Sequence, residues 1–141
     1  MIIEGGHYGT TCARVGCMPS KLLVAAAGFA HAIGKAPEMG IHVDGVVRID
    51  GRAVMDRIRC ERDRFVDFAL GEVQQIPDAD RLLGHARFVD NRTLAVANHT
   101  RVQAKSIVIA TGSRADYPDS FKALGERLIV SDNVFDWTDL P

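Results

Sequence analysis

The run Thr10-Thr11-Cys12-Ala13-Arg14-Val15-Gly16-Cys17-Met18-Pro19-Ser20-Lys21 limits what this chain can fold into more than any other stretch. In a continuous α-helix, side chains with the spacing of Cys12 and Cys17 are rotated by about 500°, which leaves them about 140° apart and unable to bridge. For the two cysteines to react with each other, the backbone between them must leave the regular helix. Gly16 supplies the freedom to do so. Pro19 suits the first turn of a second helix, where its fixed φ and missing donor do no harm. Cys17 is then placed at that helix's mouth, where unpaired N–H groups and the helix dipole favour a thiolate. The residues alone admit three readings: two inert cysteines, a zinc site, or a redox-active dithiol/disulfide pair. His7 and His31 complete no recognisable zinc-ligand spacing.

Composition narrows the setting. A chain of 141 residues with 47% hydrophobic and 25% charged residues has enough apolar material for one domain-sized core. Its formal net charge of -1 gives no reason to expect nucleic acid or an anionic membrane as partner. The apolar run from Leu22 is interrupted by Gly28, His31 and Lys35, so no bilayer-spanning segment is expected, and residues 1–9 lack the pattern of a secretory signal. The expected compartment is the reducing cytoplasm. There, three cysteines are too few for a disulfide scaffold, and a close pair points to catalysis or metal binding.

Along the chain, Met1–Glu4 reads as the end of a buried strand, followed by a glycine-rich turn through Gly9. An alanine-rich helix is expected from Ser20 to about Ile33, ended by Gly34, Pro37 and Gly40. Residues 41–49 suggest two short extended pieces around Asp44-Gly45. Asp50 is a candidate cap for a helix from about Gly51 to Gln75. Val54, Ile58, Phe65, Phe68, Ala69 and Val73 mark its apolar side; Arg57, Arg59, Arg62, Arg64, Asp63 and Asp67 mark its solvated side. Leu82-Leu83, residues 86–89, 92–97 and 100–103 read as an antiparallel meander with turns at Asp90-Asn91 and Asn98-His99. Ser106–Ala110 is a continuous apolar run, as in a strand buried on both faces, and ends in the turn Thr111-Gly112-Ser113. In open α/β sheets that edge is where ligands bind.

The stretch GTTCARVGCMPSK, residues 9–21, resembles the G-G-T-C-x-N-x-G-C-x-P-S-K hallmark of the pyridine-nucleotide disulfide oxidoreductases, a family of FAD flavoenzymes. Ile3-Glu4, Gly84-His85-Ala86 and Ile109-Ala110-Thr111-Gly112-Ser113 extend the resemblance over the chain. Thr10 stands in place of the second glycine and Arg14 in place of asparagine, departures that bear on loop geometry and substrate preference. The resemblance implies an α/β fold: a partial FAD-binding Rossmann-like domain with a parallel sheet, inserted helices and an antiparallel β-meander, over residues 1–141.

The same resemblance implies roles. Glu4 would bind the adenosine ribose of FAD, and Gly9, Thr10 and Thr11 would approach the flavin-side phosphate and ribityl chain. Cys12 would be the outer thiol that exchanges with substrate, Cys17 the inner thiol against the flavin, and Lys21 the cation balancing charge there. Ala86 would meet the adenine through its backbone, with His85 structural. Ala110, Thr111 and Gly112 would pack on FAD. Cys60 reads as a bystander and Trp137 as packing. The glycine fingerprint of the first strand is absent, as are NAD-binding and dimerisation domains, so an internal piece of a longer, homodimeric enzyme is expected, with its NAD site outside this chain and the piece alone inactive. The motif fits dihydrolipoamide dehydrogenase, acting on a dithiol or lipoyl-domain substrate. Mercuric or other disulfide reductases, an inactive remnant and a metal-binding redox module are the alternatives.

Overall fold

Asp50 and Gly16 set where the helices begin. The Asp50 Oδ1 accepts the Ala53 N–H at 3.1 Å, so it caps α3 (Gly51–Gln74) as expected. Gly16 separates α1 (Thr11–Val15) from α2 (Cys17–Lys35), and a 3-10 turn over Ala36–Met39 prolongs α2 to Gly40. A computed structural model describes all 141 residues, in two compact units. One unit comprises residues 1–10 and 67–113, the other residues 11–66 and 114–141.

The first unit holds the strands. β1 (Ile2–Glu4) pairs in parallel with β2 (Arg81–Leu83), with Glu4 opposite Leu83. The antiparallel meander consists of β3 (Ala86–Phe88), β4 (Thr93–Val96) and β5 (Thr100–Gln103), with β4 central. Leu82-Leu83 therefore belongs to the parallel pair and not, as expected, to the meander. Gly84 makes the switch: its φ of +143° turns the chain between sheets, while its N–H still donates to the Glu4 carbonyl at 2.8 Å. The Asp90-Asn91 turn forms as expected, with Asp90 Oδ1 accepting the Arg92 N–H at 2.8 Å. That bond, foremost, holds the Asp90 carboxyl below its ordinary range.

The second unit packs around Met55, Ile58 and Phe135, flanked by Val15, Leu22, Leu23, Val54, Val134, Trp137 and Leu140. Trp137 is a packing residue, as expected. The apolar stripe of α3 is nevertheless narrower than its sequence suggests, because Phe68 is 72% exposed. Arg59 and Arg62 are not on a solvated face either. Arg59 Nη1 donates to the Trp137 carbonyl, and Arg62 Nη1 donates to the Phe135 carbonyl at 3.3 Å and to Asp136 Oδ1 at 2.8 Å. The 3-10 turn over Val134–Asp136 leaves carbonyls without helical partners, and the two guanidinium groups satisfy them.

Four further expectations are corrected. Residues 41–49 form no strand, and neither does Ser106–Ala110, where Val108 and Ile109 are 87% and 70% exposed. A strand needs a ladder of backbone partners, and none of β1–β5 lies against this run. α2 starts at Cys17, earlier than Ser20, and leaves Val24 and Phe29 exposed instead of closely packed. The run Thr11–Met39 is also long and apolar enough to cross a bilayer by length and composition, despite Gly28, His31 and Lys35.

Met55 is fully buried, so truncating it opens a cavity in the second unit. Met55→Ala should lower stability by about 2–5 kcal/mol, read as a fall in urea midpoint at unchanged slope.

Candidate active site

The cysteine pair is built by a helix break with little room for a side chain. Gly16 has φ -126° and ψ -119°, outside the helical region. A Cβ on Gly16 would lie 3.0 Å from the Thr11 carbonyl oxygen and 3.2 Å from the Cys12 Cα, so this residue is pressed onto the first turn of α1. The Gly16 carbonyl then accepts the Ser20 N–H at 3.1 Å and the Ser20 hydroxyl at 2.6 Å. Through this break Cys12, in α1, meets Cys17, the first residue of α2, and their side chains share a hydrogen bond. Neither is in a disulfide; the pair is in its dithiol form. Lys21, one turn further along α2, acts on Cys17 through its charge.

The electrostatics correct one expectation. The helix mouth and Lys21 do pull the Cys17 thiol toward ionisation, but the net shift is upward. The hydrogen bond with Cys12 is the largest cause, followed by partial desolvation and by the like charge that Cys12 would carry. Two thiols sharing a proton resist losing the second one, as coupled acids do. Cys17 in the dithiol state is therefore held protonated by its partner.

The first unit carries a different group of expected site residues. Glu4 ends β1, and its Oε1 accepts the Gly6 N–H at 2.8 Å, which fixes the carboxylate at the carboxyl end of a parallel strand. Gly5 lies against the imidazole of His85: a Cβ there would come within 2.5 Å of the ring Nδ1. His85 is thus structural, as its sequence context suggests. Its carbonyl accepts the Ala97 N–H at 2.9 Å. In an antiparallel ladder that bond makes Ala86 and Val96 a non-hydrogen-bonded pair, so the Ala86 N–H and carbonyl face away from β4. β3 is an edge strand, which leaves both groups of Ala86 on an open edge.

Gly9 adopts φ +120° just before Thr10 and Thr11, and Ala110, Thr111 and Gly112 form an exposed irregular turn. Cys60 is exposed on α3 and in no disulfide. No cluster of three or more His, Cys, Asp or Glu residues is placed to hold a metal ion. Ser20 was missed as a site-building residue. The signal available was its place four residues after Gly16, where a hydroxyl can reach the carbonyl of the preceding turn.

The family description "Pyridine nucleotide-disulphide oxidoreductase" matches residues 1–138. The chain belongs to this family. Among curated relatives, a dihydrolipoyl dehydrogenase of Haloferax volcanii is 35% identical over 80% of this chain and 24% of its own length. A mycothione reductase of Mycobacterium tuberculosis is 33% identical over 99% of this chain and 31% of its own. Among solved structures, a Cu(II) complex of the HOCl-induced flavoprotein disulfide reductase RclA from Escherichia coli superposes with a TM-score of 0.67 at 23% identity, over 99% of this chain and 28% of that one. The mixed α/β architecture of this family member thus matches the fold of FAD-binding disulfide reductases. The chain spans only about a quarter to a third of the length of these relatives. Family membership carries with it FAD and NAD(P) as the cofactors such enzymes use.

If Cys12 holds the Cys17 proton in place, Cys12→Ala should lower the Cys17 pKa, leaving the helix mouth and Lys21 to act. Alkylation of Cys17 should then begin at lower pH, and adding Lys21→Ala should move the profile back up. Rate against pH, with Cys60→Ser as background, measures both shifts.

Proposed function

We propose that this chain is the dithiol-bearing part of a flavin-dependent oxidoreductase that moves electrons between a substrate dithiol, the Cys12/Cys17 pair, FAD and a nicotinamide. The observation that carries the proposal is the helix break at Gly16, which brings the two thiols into hydrogen-bond contact. Dihydrolipoamide dehydrogenase is the preferred parent activity, supported by the names of the archaeal and Mycoplasma relatives. The mycothione reductase relative, 33% identical over 99% of this chain, supports a second reading, another disulfide reductase of the same family.

The residues present suit a dinucleotide such as FAD. The Glu4 carboxylate, anchored through one oxygen to Gly6, keeps its other oxygen to accept from vicinal ribose hydroxyls. The open backbone edge of Ala86 offers a donor and an acceptor to a base such as adenine. Gly9, Thr10 and Thr11 are small enough for backbone N–H groups to approach a phosphate. Ala110, Thr111 and Gly112 complete the proposed set, with Lys21 beside Cys17.

In the forward direction, a substrate thiolate attacks Cys12 Sγ of the oxidised pair, forming a mixed disulfide as the Cys12–Cys17 bond breaks and Cys17 leaves as thiolate. The second substrate thiol then displaces Cys12, closing the product disulfide and leaving the dithiol arrangement. Lys21 and the N–H groups at the start of α2 stabilise the Cys17 thiolate while it exists. FAD, when bound, supplies the two-electron acceptor between this thiolate and the nicotinamide. Cytoplasmic location, a homodimeric parent and a lipoyl-domain substrate belong to the same proposal.

Incubating the chain with oxidised lipoamide should oxidise Cys12 and Cys17 together, costing two alkylatable thiols by mass spectrometry, while Cys60 stays modifiable. Cys12→Ser or Cys17→Ser should abolish that paired loss. Unpaired oxidation in the wild type would count against the proposal. In a flavin-fluorescence titration, Glu4→Ala should weaken any FAD binding by about tenfold or more, the range for a lost charge-assisted contact.

A further inference from the structure

We propose that the outer face of the β3–β4–β5 meander is a binding cleft for a small phosphate-type anion, held by Arg87 and Arg101. The register creates the cleft. Arg87 on β3 and Arg101 on β5 both pair with Ala95 on β4, so all three side chains leave the same face of the sheet in one row. A methyl group between two guanidinium stems leaves a gap at the centre of the row. The resulting cleft has a volume of about 310 Å³ and is lined by Arg87, Ala95, Ala97, Asn98, His99, Thr100 and Arg101.

The chemistry of that lining is one-sided. It contains no carboxylate, and neither guanidinium group takes part in any of the chain's ion pairs or side-chain hydrogen bonds. What sets Arg87 and Arg101 apart from the chain's other arginines is that both flank one residue, Ala95, on the same face of the sheet. Two unpaired guanidinium groups facing one gap match the fork geometry with which arginine recognises phosphate. At one end of the cleft the turn is held in place. His99 lies 2.7 Å from Thr100 Oγ1 through Nδ1 and 3.1 Å from the Leu83 carbonyl through Nε2, which fixes its ring. Ala97, at the same end, is the only non-glycine residue with positive φ, at 45°. Strain of this kind persists where surrounding structure fixes it, here through close packing on Gly84, and it holds Asn98 at the rim.

The cleft lies on the sheet face opposite Val96 and Leu94, and involves none of the residues assigned above to the dinucleotide or the dithiol. The proposal therefore stands apart from the flavin reading. The ligand class is a small anion with at least one phosphoryl group, whether free or part of an organic phosphate.

The test uses the whole chain at low ionic strength with inorganic pyrophosphate as probe, followed by amide chemical shifts and by calorimetry. Expected is saturable binding, with shifts clustered at Arg87, Ala95 and residues 97–101. Arg87→Gln with Arg101→Gln should weaken it at least about tenfold, since each charge-assisted contact carries roughly that factor. Arg92→Gln, outside the cleft, should leave it unchanged. Shifts scattered over the surface, or no saturation, would overturn the proposal, and the wild-type shift map decides this even if the double variant fails to fold. Glucose 6-phosphate in place of pyrophosphate tests for an organic phosphate at the same residues. A pyrophosphate isotherm abolished by saturating FAD would reassign the anion to the flavin's own diphosphate and overturn a separate site.

Discussion

The close approach at Gly16 is the constraint on which the reactive centre depends. Two helical segments meet there with backbone against backbone, and a Cβ would press tightly on both the Thr11 carbonyl and the Cys12 Cα. The same residue presents its carbonyl to Ser20, which ties the start of α2 to the break. Without the break, Cys12 and Cys17 would project from different sides of one helix. With it, they share a hydrogen bond in the dithiol state. Ser20, often read as mere motif, is thus part of the geometry: its hydroxyl and its N–H both end on the one carbonyl that the break exposes.

Much of this was legible from sequence because the signals are local. A glycine between two cysteines, a proline in the next turn and an aspartate before a long amphipathic run each act within a few residues. The helix break, the Pro19-containing first turn and the Asp50 cap all appear where those residues place them. What failed depends on distant partners. Ser106–Ala110 has the composition of a buried strand, but composition cannot provide a neighbouring ladder, and no strand of this chain does so. Arg59 and Arg62 look solvated by helical period, yet they serve carbonyls more than seventy residues away in sequence. Leu82-Leu83 alternates like its neighbours, and only the turn at Gly84 sends it to another sheet. The sign of the Cys17 shift belongs to the same class: the helix mouth is readable, the competing thiol contact is not.

Two kinds of site are built here by different means. The dithiol depends on a tight, sterically exclusive turn within α1–α2, where a single added methyl would be felt. The elements proposed for the dinucleotide depend on what strands leave free: a carboxylate at a strand end, and an edge residue whose hydrogen-bonding groups have no partner in the sheet. The first arrangement fixes distances between reacting atoms. The second offers donors and acceptors of ordinary strength, and would draw its affinity from several contacts made at once.

The protonation of Cys17 connects the geometry to the proposed chemistry. A thiolate gives up electrons readily and a thiol does not, so a dithiol that keeps the Cys17 proton is a store and not yet a donor. The forces acting on that proton oppose one another by construction. Cys12 holds it in place, while the α2 N-terminus and Lys21 favour its loss. In the proposed cycle Cys12 therefore has a second role beyond exchange with substrate. While it is free and close, it restrains Cys17; while it is bonded to substrate sulfur in the mixed disulfide, it can carry no charge to repel the Cys17 thiolate. In that state the helix mouth and Lys21 are opposed by desolvation alone, which in the proposed cycle favours the thiolate at the step that requires it. The same contact that permits a disulfide thus times the ionisation of the inner thiol, and both follow from the absence of a side chain at Gly16.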